Sequence, residues 1–163
     1  MDPLAQFKDL FGHIFAPRPD VAIGQMLRVL KRGGTIAFAT WPPEHSVGRS
    51  MVLVARYLPP PPPGVMPPWL WGDPNIVRER LGDAVTDIVF DRGTMLVPAL
   101  SPQHARATLE RTAGLVRKIV EVLTTTEPAR LEEFRREFES HVGTYLEDNV
   151  IRQDYLLTRA TKK

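Results

Sequence analysis

The sequence predicts an α/β fold built on a small mixed sheet with several helices, and three observations carry that prediction. An amphipathic stretch, Val21–Leu30, runs through Gly33-Gly34 into a short apolar run, Thr35–Trp41. Further strand candidates lie at 85–90, 94–97 and within 153–161. Between them are long segments with helical periodicity and cap signals. Helix, double glycine and buried strand form the αβ half of a parallel α/β unit.

From the N-terminus, Leu4, Phe7, Leu10, Phe11 and Ile14 recur at helical spacing, while Gln6, Lys8 and Asp9 interrupt any strand alternation. The first fifteen residues therefore read as a short helix or an irregular arm, and 1–19 as an N-terminal arm ended by Ala16-Pro17-Arg18-Pro19. Asp20 is placed to cap the next helix, since its carboxylate can accept from first-turn amides. Ile23, Met26, Leu27 and Leu30 mark that helix's apolar face, Lys31 and Arg32 suit the negative end of its dipole, and Gly33-Gly34 reads as its C-cap. Thr35–Trp41 shows little polar alternation, as expected of a strand buried on both faces.

Pro42-Pro43 stops the strand, and a helix is predicted over Val47–Leu58. Nine of the 16 prolines fall between Pro42 and Pro68, five of them in the row Pro59–Pro63. Such a row takes a stiff polyproline II path with no backbone donors. Residues 57–74 thus read as a spacer or lid, carrying Met66, Trp69, Leu70 and Trp71. Asp73 or Asn75 caps a short helix ended by Gly82. Val85–Phe90 alternates as a strand, and Gly93 separates it from a second candidate, Thr94–Val97. Ser101-Pro102 has the cap-then-proline order of a helix start, and helical pattern runs to Leu123 with a bend at Gly114. Thr126-Glu127-Pro128 restarts a helix to about Leu146. Its charged face reads as solvated and laced with i,i+4 pairs. Gln153–Thr161 holds the last strand.

Composition bounds function. The 163 residues are the size of one domain, so 1–163 reads as a single domain. With 21 basic against 19 acidic residues, spread along the chain, nothing points to nucleic acid, despite a pI near 9.1. The chain has no cysteine, which excludes disulfides, thiolate catalysis and cysteine-bound metals. No histidine pair has metal-ligand spacing, and no nucleophile elbow or phosphate loop occurs. No apolar run is long enough for a membrane span. Met1-Asp2-Pro3-Leu4 lacks the features of a signal peptide, so a cytoplasmic protein is expected.

Two stretches bring a family into view. Phe11-Gly12-His13-Ile14-Phe15-Ala16-Pro17 resembles the segment after the fourth strand of class I S-adenosylmethionine-dependent methyltransferases of the ubiquinone-biosynthesis type. Met26–Phe38 resembles their helix, glycine turn and fifth strand, with Arg32 where the family usually has proline. Trp41-Pro42-Pro43-Glu44, the proline-rich segment and Leu70-Trp71-Gly72 are similar to members with small apolar acceptors.

The resemblance implies a partial doubly wound, Rossmann-like sheet, mixed, whose last strands include an antiparallel hairpin. It implies S-adenosylmethionine as cofactor, across the carboxyl ends of the strands and against a glycine-rich turn after the first strand. No such turn occurs in this sequence. The chain thus resembles a C-terminal half lacking the first strands, holding the cofactor only when another chain completes it. The other readings are a non-catalytic interaction or oligomerisation module and a binder of apolar ligands.

By resemblance, Phe11, Gly12, His13 and Ile14 are the cofactor-side candidates. His13 could contact cofactor or act as a base, or be a structural histidine satisfied by backbone. Trp41, Trp69 and Trp71 could line an acceptor pocket, with core packing and lid anchoring as the competing roles. Glu44 and His45 are an acid/base candidate pair or members of a solvated loop. A strand at 35–41 buried on both faces also needs neighbours on both edges. Because the later strands fall on one side in the family's order, its other edge is expected to be covered by a second copy (a homodimer), a partner chain, or the N-terminal arm folded back.

Overall fold

The computed structural model describes residues 3–163, so what was read from Met1 and Asp2 lies outside the described residues. The chain divides into two compact units. One holds the described chain up to Gly48 together with Pro61–Gly93 and Asp154–Lys163; the other holds Arg49–Pro60 and Thr94–Gln153.

The N-terminal arm is neither helix nor irregular. Leu4–Leu10 is a strand, β1, followed by a 3₁₀ turn at His13–Phe15. Gln6, Lys8 and Asp9 concealed it because β1 is largely exposed, so it lacks the apolar run of a buried strand. The first helix, α1, is Pro19–Arg28, with Arg18 rather than Asp20 at its N-cap and Val29 at its C-cap. Gly33-Gly34 therefore does not cap it. Both glycines lie inside β2, Leu30–Thr40. Here β1 residues Leu4 and Gln6 face Leu30 and Thr35, so β2 carries extra residues as an irregular bulge. Gly33 has φ +72, and a Cβ at Gly34 would press on the Lys31 carbonyl. The double glycine is a bulge signal that mimics a helix cap. Lys162 satisfies the end of α1 instead, its Nζ donating to the Leu27 and Leu30 carbonyls at 2.7 and 2.6 Å.

Ser46–Ala55 is helix α2. The Pro59–Pro63 row is without regular structure, and Pro68–Gly72 is a 3₁₀ segment. Helix α3, Pro74–Leu81, is capped by Asp73, whose carboxylate accepts from Asn75 N at 2.8 Å, and is closed by Gly82 at φ +50. The two strands expected at 85–90 and 94–97 are one, β3, Val85–Pro98. Gly93 is no turn; it sits where a Cβ would collide with the Tyr155 ring. Helices α4 (Pro102–Thr112), α5 (Gly114–Thr126) and α6 (Pro128–Gly143) follow, so the bend expected at Gly114 is a full break at Ala113. Leu146–Glu147 (β4) pairs antiparallel with β5, Val150–Lys162, across Asp148 (φ 48) and Asn149 (φ 60). Two central residues with positive φ fit the twist of a tight hairpin, and Asp and Asn tolerate that conformation.

The sheet has five strands in the order β1-β2-β5-β3, with β4 on β5. β1 runs parallel to β2, and β5 antiparallel to it. The fold is thus α/β with a mixed sheet, as expected. The edge of β2 away from β5 is occupied by β1. In the first unit Ile36, Phe38 and Thr40 from β2 and Leu156, Thr158 and Ala160 from β5 are buried together with Ile14, Trp71 and Val77.

The second unit has its own core, centred on Phe134 and including Tyr57, Val116, Ile119, Leu131 and Phe138. The charges of α6 are more than a solvated face. Arg135 reaches Glu110 of α4 at 3.0 Å, and Arg106 of α4 pairs with Glu110 and with Glu139 of α6. Burial alone would raise the Glu110 pKa; hydrogen bonds from Arg135 and Arg106 overcome it and hold the carboxyl below its usual value.

Candidate active site

Both candidate clusters lie in the first unit, where β1 and β2 end. In open α/β sheets the carboxyl ends of parallel strands are where ligands bind, because loops there diverge and leave a crevice.

The first cluster is aromatic. Phe11, immediately after β1, has φ 66, a left-handed conformation that costs energy in any residue with a side chain. Its ring stacks on Trp41 with centroids 4.0 Å apart and planes 5° from parallel. Tyr155 of β5 meets both rings edge-on, at 6.2 and 6.5 Å. The antiparallel register of β2 on β5 ends at Thr40 opposite Leu156, with Trp41 and Tyr155 the next residues on each chain segment, and Gly93 leaves room for the tyrosine ring.

A polar group adjoins the same strand ends. The backbone N–H of His45 donates to the Pro42 carbonyl, closing the turn after β2. The His45 ring lies 3.2 Å from Arg92 Nη1 through Nε2, and 3.9 Å from Asp154 Oδ2 through Nδ1. Glu44 lies 3.9 Å from His45 and 3.8 Å from Arg92. Successive residues of a strand face opposite ways, so Asp154 and Arg92 point away from the face carrying Tyr155 and Gly93.

The second cluster is buried and surrounds His13. Asp9 accepts from the backbone amides of Gly12 (2.8 Å) and His13 (3.2 Å), which shapes the turn after β1. The His13 ring packs against Phe38 and against the edge of Trp71, at 4.7 and 4.6 Å. Arg80 of α3 lies over the other part of this cage, 4.6 Å from the Trp71 ring. Neither ring nitrogen of His13 has a hydrogen-bond partner; Asp9 Oδ1 at 3.6 Å is an attraction rather than a formed bond. Burial pushes the His13 pKa below 6.5, Asp9 opposes the shift, and Arg80 adds to it.

That shift has a testable sign. Below pH 6.5 the unfolded chain takes up a proton at this position before the folded chain does. Stability contributed by neutral His13 is therefore present above 6.5 and falls as the pH drops from there towards the lower folded-state value. Urea midpoints measured from about pH 7.5 down to 5 should fall more steeply for the wild type than for His13→Gln. Equal slopes would show that His13 does not titrate as its burial dictates.

Of the sequence candidates, the structure brings Trp41, Glu44 and His45 to the end of β2. Trp71 is 1% exposed, packed on His13 and Phe38. Trp69 is half-buried in the 3₁₀ segment before it. Phe11 joins the aromatic cluster, Ile14 is buried, and Gly12 holds the Asp9 turn. Sequence reading missed Asp9, Arg80, Arg92, Asp154 and Tyr155. The Asp9 turn left a readable trace, an aspartate three residues before a glycine; the others are brought in by pairing across the sheet and by α3. Among the described residues, no three His, Asp or Glu side chains group as metal ligands, and no helix is long and apolar enough to cross a membrane.

No family model matches the sequence. An uncharacterised protein of Mycobacterium bovis is 29% identical over 161 residues, covering 93% of this chain and 56% of its own length. Another, of Mycobacterium tuberculosis, is 30% identical over 158 residues, covering 93% and 55%. The chain thus spans about half the length of the curated relatives it matches. Among solved structures it is similar to a Bacillus halodurans protein designated a methyltransferase (TM-score 0.49, 13% identity, 99% of this chain and 65% of that one). It is also similar to a Haemonchus contortus phosphoethanolamine N-methyltransferase in complex with phosphomonomethylethanolamine and S-adenosylhomocysteine (TM-score 0.46, 12% identity, 98% and 33%). A third is the MccD protein (TM-score 0.49, 13% identity, 99% and 61%).

Proposed function

We propose that this chain is the C-terminal, acceptor-side half of a class I S-adenosylmethionine-dependent methyltransferase domain of the ubiquinone-biosynthesis type, completed by further polypeptide. The observation that carries the reading is the parallel pair β1/β2 ending side by side in the Phe11–Trp41–Tyr155 cluster. β1 ends where the first stretch resembling that family, Phe11–Pro17, begins, and β2 overlaps the second, Met26–Phe38.

The residues present do not by themselves fit the cofactor. A nucleoside cofactor with an amino-acid end needs open backbone amides at a glycine-rich turn, where the chain can approach closely. At the turn after β1, the amides of Gly12 and His13 are already engaged by Asp9. In this reading the chain supplies the aromatic wall and the acceptor-side loop with Trp41, Glu44 and His45. Methyl transfer depends mainly on alignment, so few catalytic side chains are required.

The completing polypeptide would dock along the outer edge of β1. Leu4 (44%) and Leu10 (78%) on that strand and Phe15 (66%) just after it are exposed, and an open strand edge is a template for pairing. A second copy of the chain is the alternative occupant, and a cytoplasmic setting belongs to the same proposal.

Titration calorimetry with S-adenosylmethionine tests the reading. The chain alone should give no saturable heat up to millimolar cofactor. The chain translated together with any in-frame sequence upstream of the Met1 codon, or purified with its partner, should bind at micromolar concentration. Micromolar binding by the chain alone would overturn the half-domain reading. Failure of the completed form to bind would overturn the methyltransferase reading.

A further inference from the structure

We infer that Arg92, His45, Asp154 and Glu44 form an anion-responsive station, in which Arg92 masks the outward nitrogen of His45 until an oxyanion draws the guanidinium away.

The hydrogen-bond chemistry fixes the starting state. A guanidinium has donors and no acceptor, so Arg92 Nη1, 3.2 Å from His45 Nε2, can only donate to it. Nε2 must then carry the lone pair, and the ring proton resides on Nδ1. That nitrogen faces the Asp154 carboxylate at 3.9 Å, where a proton-bearing nitrogen is favoured. Glu44 lies at the same 3.9 Å from Nε2, so the two carboxylates offset each other and the Arg92 donor in β3 sets the tautomer of His45.

The hold on Arg92 is weak. Its other interaction in the cluster is the 3.8 Å approach to Glu44, beyond hydrogen-bond length, and its side chain is 63% exposed. A carboxylate, sulfate or phosphate offers two acceptor oxygens matched to the guanidinium fork, against the single neutral nitrogen of His45. An arriving oxyanion therefore takes Arg92 and leaves the Nε2 lone pair open beside it. If that ligand carries an ionisable O–H, the O–H bond breaks and an N–H bond forms at Nε2. The imidazolium so formed faces Asp154 on its other side. The ligand class is a small oxyanion with paired acceptor oxygens, such as sulfate or phosphate. The station uses no cofactor, so failure of the methyltransferase reading leaves it standing.

Two-bond ¹H–¹⁵N spectra of the histidine rings test this at about pH 8.5, where imidazole is ordinarily neutral. There are four histidines, and His45→Asn identifies the signal. Wild-type His45 should show the Nδ1–H pattern. Sulfate should shift it saturably towards the pattern of Arg92→Gln, in which Nε2 is unmasked. In Arg92→Gln itself the sulfate response should weaken about tenfold or more, the worth of a charge-assisted contact. Arg92 is exposed, so the variant should fold, with far-UV circular dichroism as the check. An Nε2–H pattern in the wild type, or a sulfate response absent from the wild type or equal in both proteins, would overturn the inference.

Discussion

Trp71→Ala is expected to lower the unfolding free energy by about 3–5 kcal/mol, the range for deleting a buried aromatic side chain. At 1% exposure Trp71 is one of the largest fully buried side chains. It joins three elements: it meets His13 edge-on, lies 5.8 Å from Phe38 of β2, and carries the Arg80 guanidinium on its face. Removing the indole opens a cavity whose rim includes an unpaired histidine and a guanidinium whose terminal nitrogens lack partners. Polar groups with nothing to bond add to the transfer and cavity costs. The measurement is the urea midpoint at neutral pH. A loss under about 1 kcal/mol would mean that Trp71 behaves as a pocket lining and not as core, which is the acceptor-pocket role considered for it from sequence.

The second large effect is expected at Phe134→Ala, again about 3–5 kcal/mol. Phe134 is 0% exposed at the centre of the second unit's core. Its ring meets Tyr57 edge-on at 5.1 Å and Phe138 at 6.1 Å. Tyr57 is also anchored by a 2.8 Å hydrogen bond to Glu137, with its pKa pushed up to about 12 by burial and by that carboxylate. The phenol therefore cannot swing freely into the space left by Phe134. The surroundings relax little, which places the expected loss towards the upper end of the range. Urea unfolding followed by far-UV circular dichroism, to which α4, α5 and α6 contribute as the three longest helices, reads the effect. A variant with an unchanged midpoint would show that this core does not hold the three helices.

How much was legible in the chain depended on whether the signal was local. Helix α3 was readable from Asp73 and Gly82 because a cap and a stop act on the adjoining turn, and Ser101-Pro102 located α4 for the same reason. The buried strand β2 announced itself through an apolar run that only burial on both faces requires. β1 was misread because an exposed edge strand need not be apolar, and Lys8 and Asp9 carried no information about its neighbour. Gly33-Gly34 and Gly93 were misread because a glycine states that a Cβ is unwelcome without saying why. At Gly93 the reason is the Tyr155 ring, more than sixty residues away in the chain.

The candidate site divides in the same way. Trp41, Glu44 and His45 stood out in the sequence because they close or follow the strand now seen as β2, and Phe11 did so through the resemblance of Phe11–Pro17 to a family segment. Tyr155, which completes the aromatic cluster, and Asp154 and Arg92, which complete the polar group at His45, did not, since nothing near them in sequence marks them.

By itself, then, the sequence determined the α/β class, the positions of most helices and the strand at the centre of the first unit, since periodicity, caps and prolines act over a few residues. Only the tertiary structure decided that β1 lies parallel to β2, that Trp71 encloses His13, and that Arg92 and Asp154 flank His45. Those outcomes depend on strand register and packing between distant segments, which no local pattern encodes.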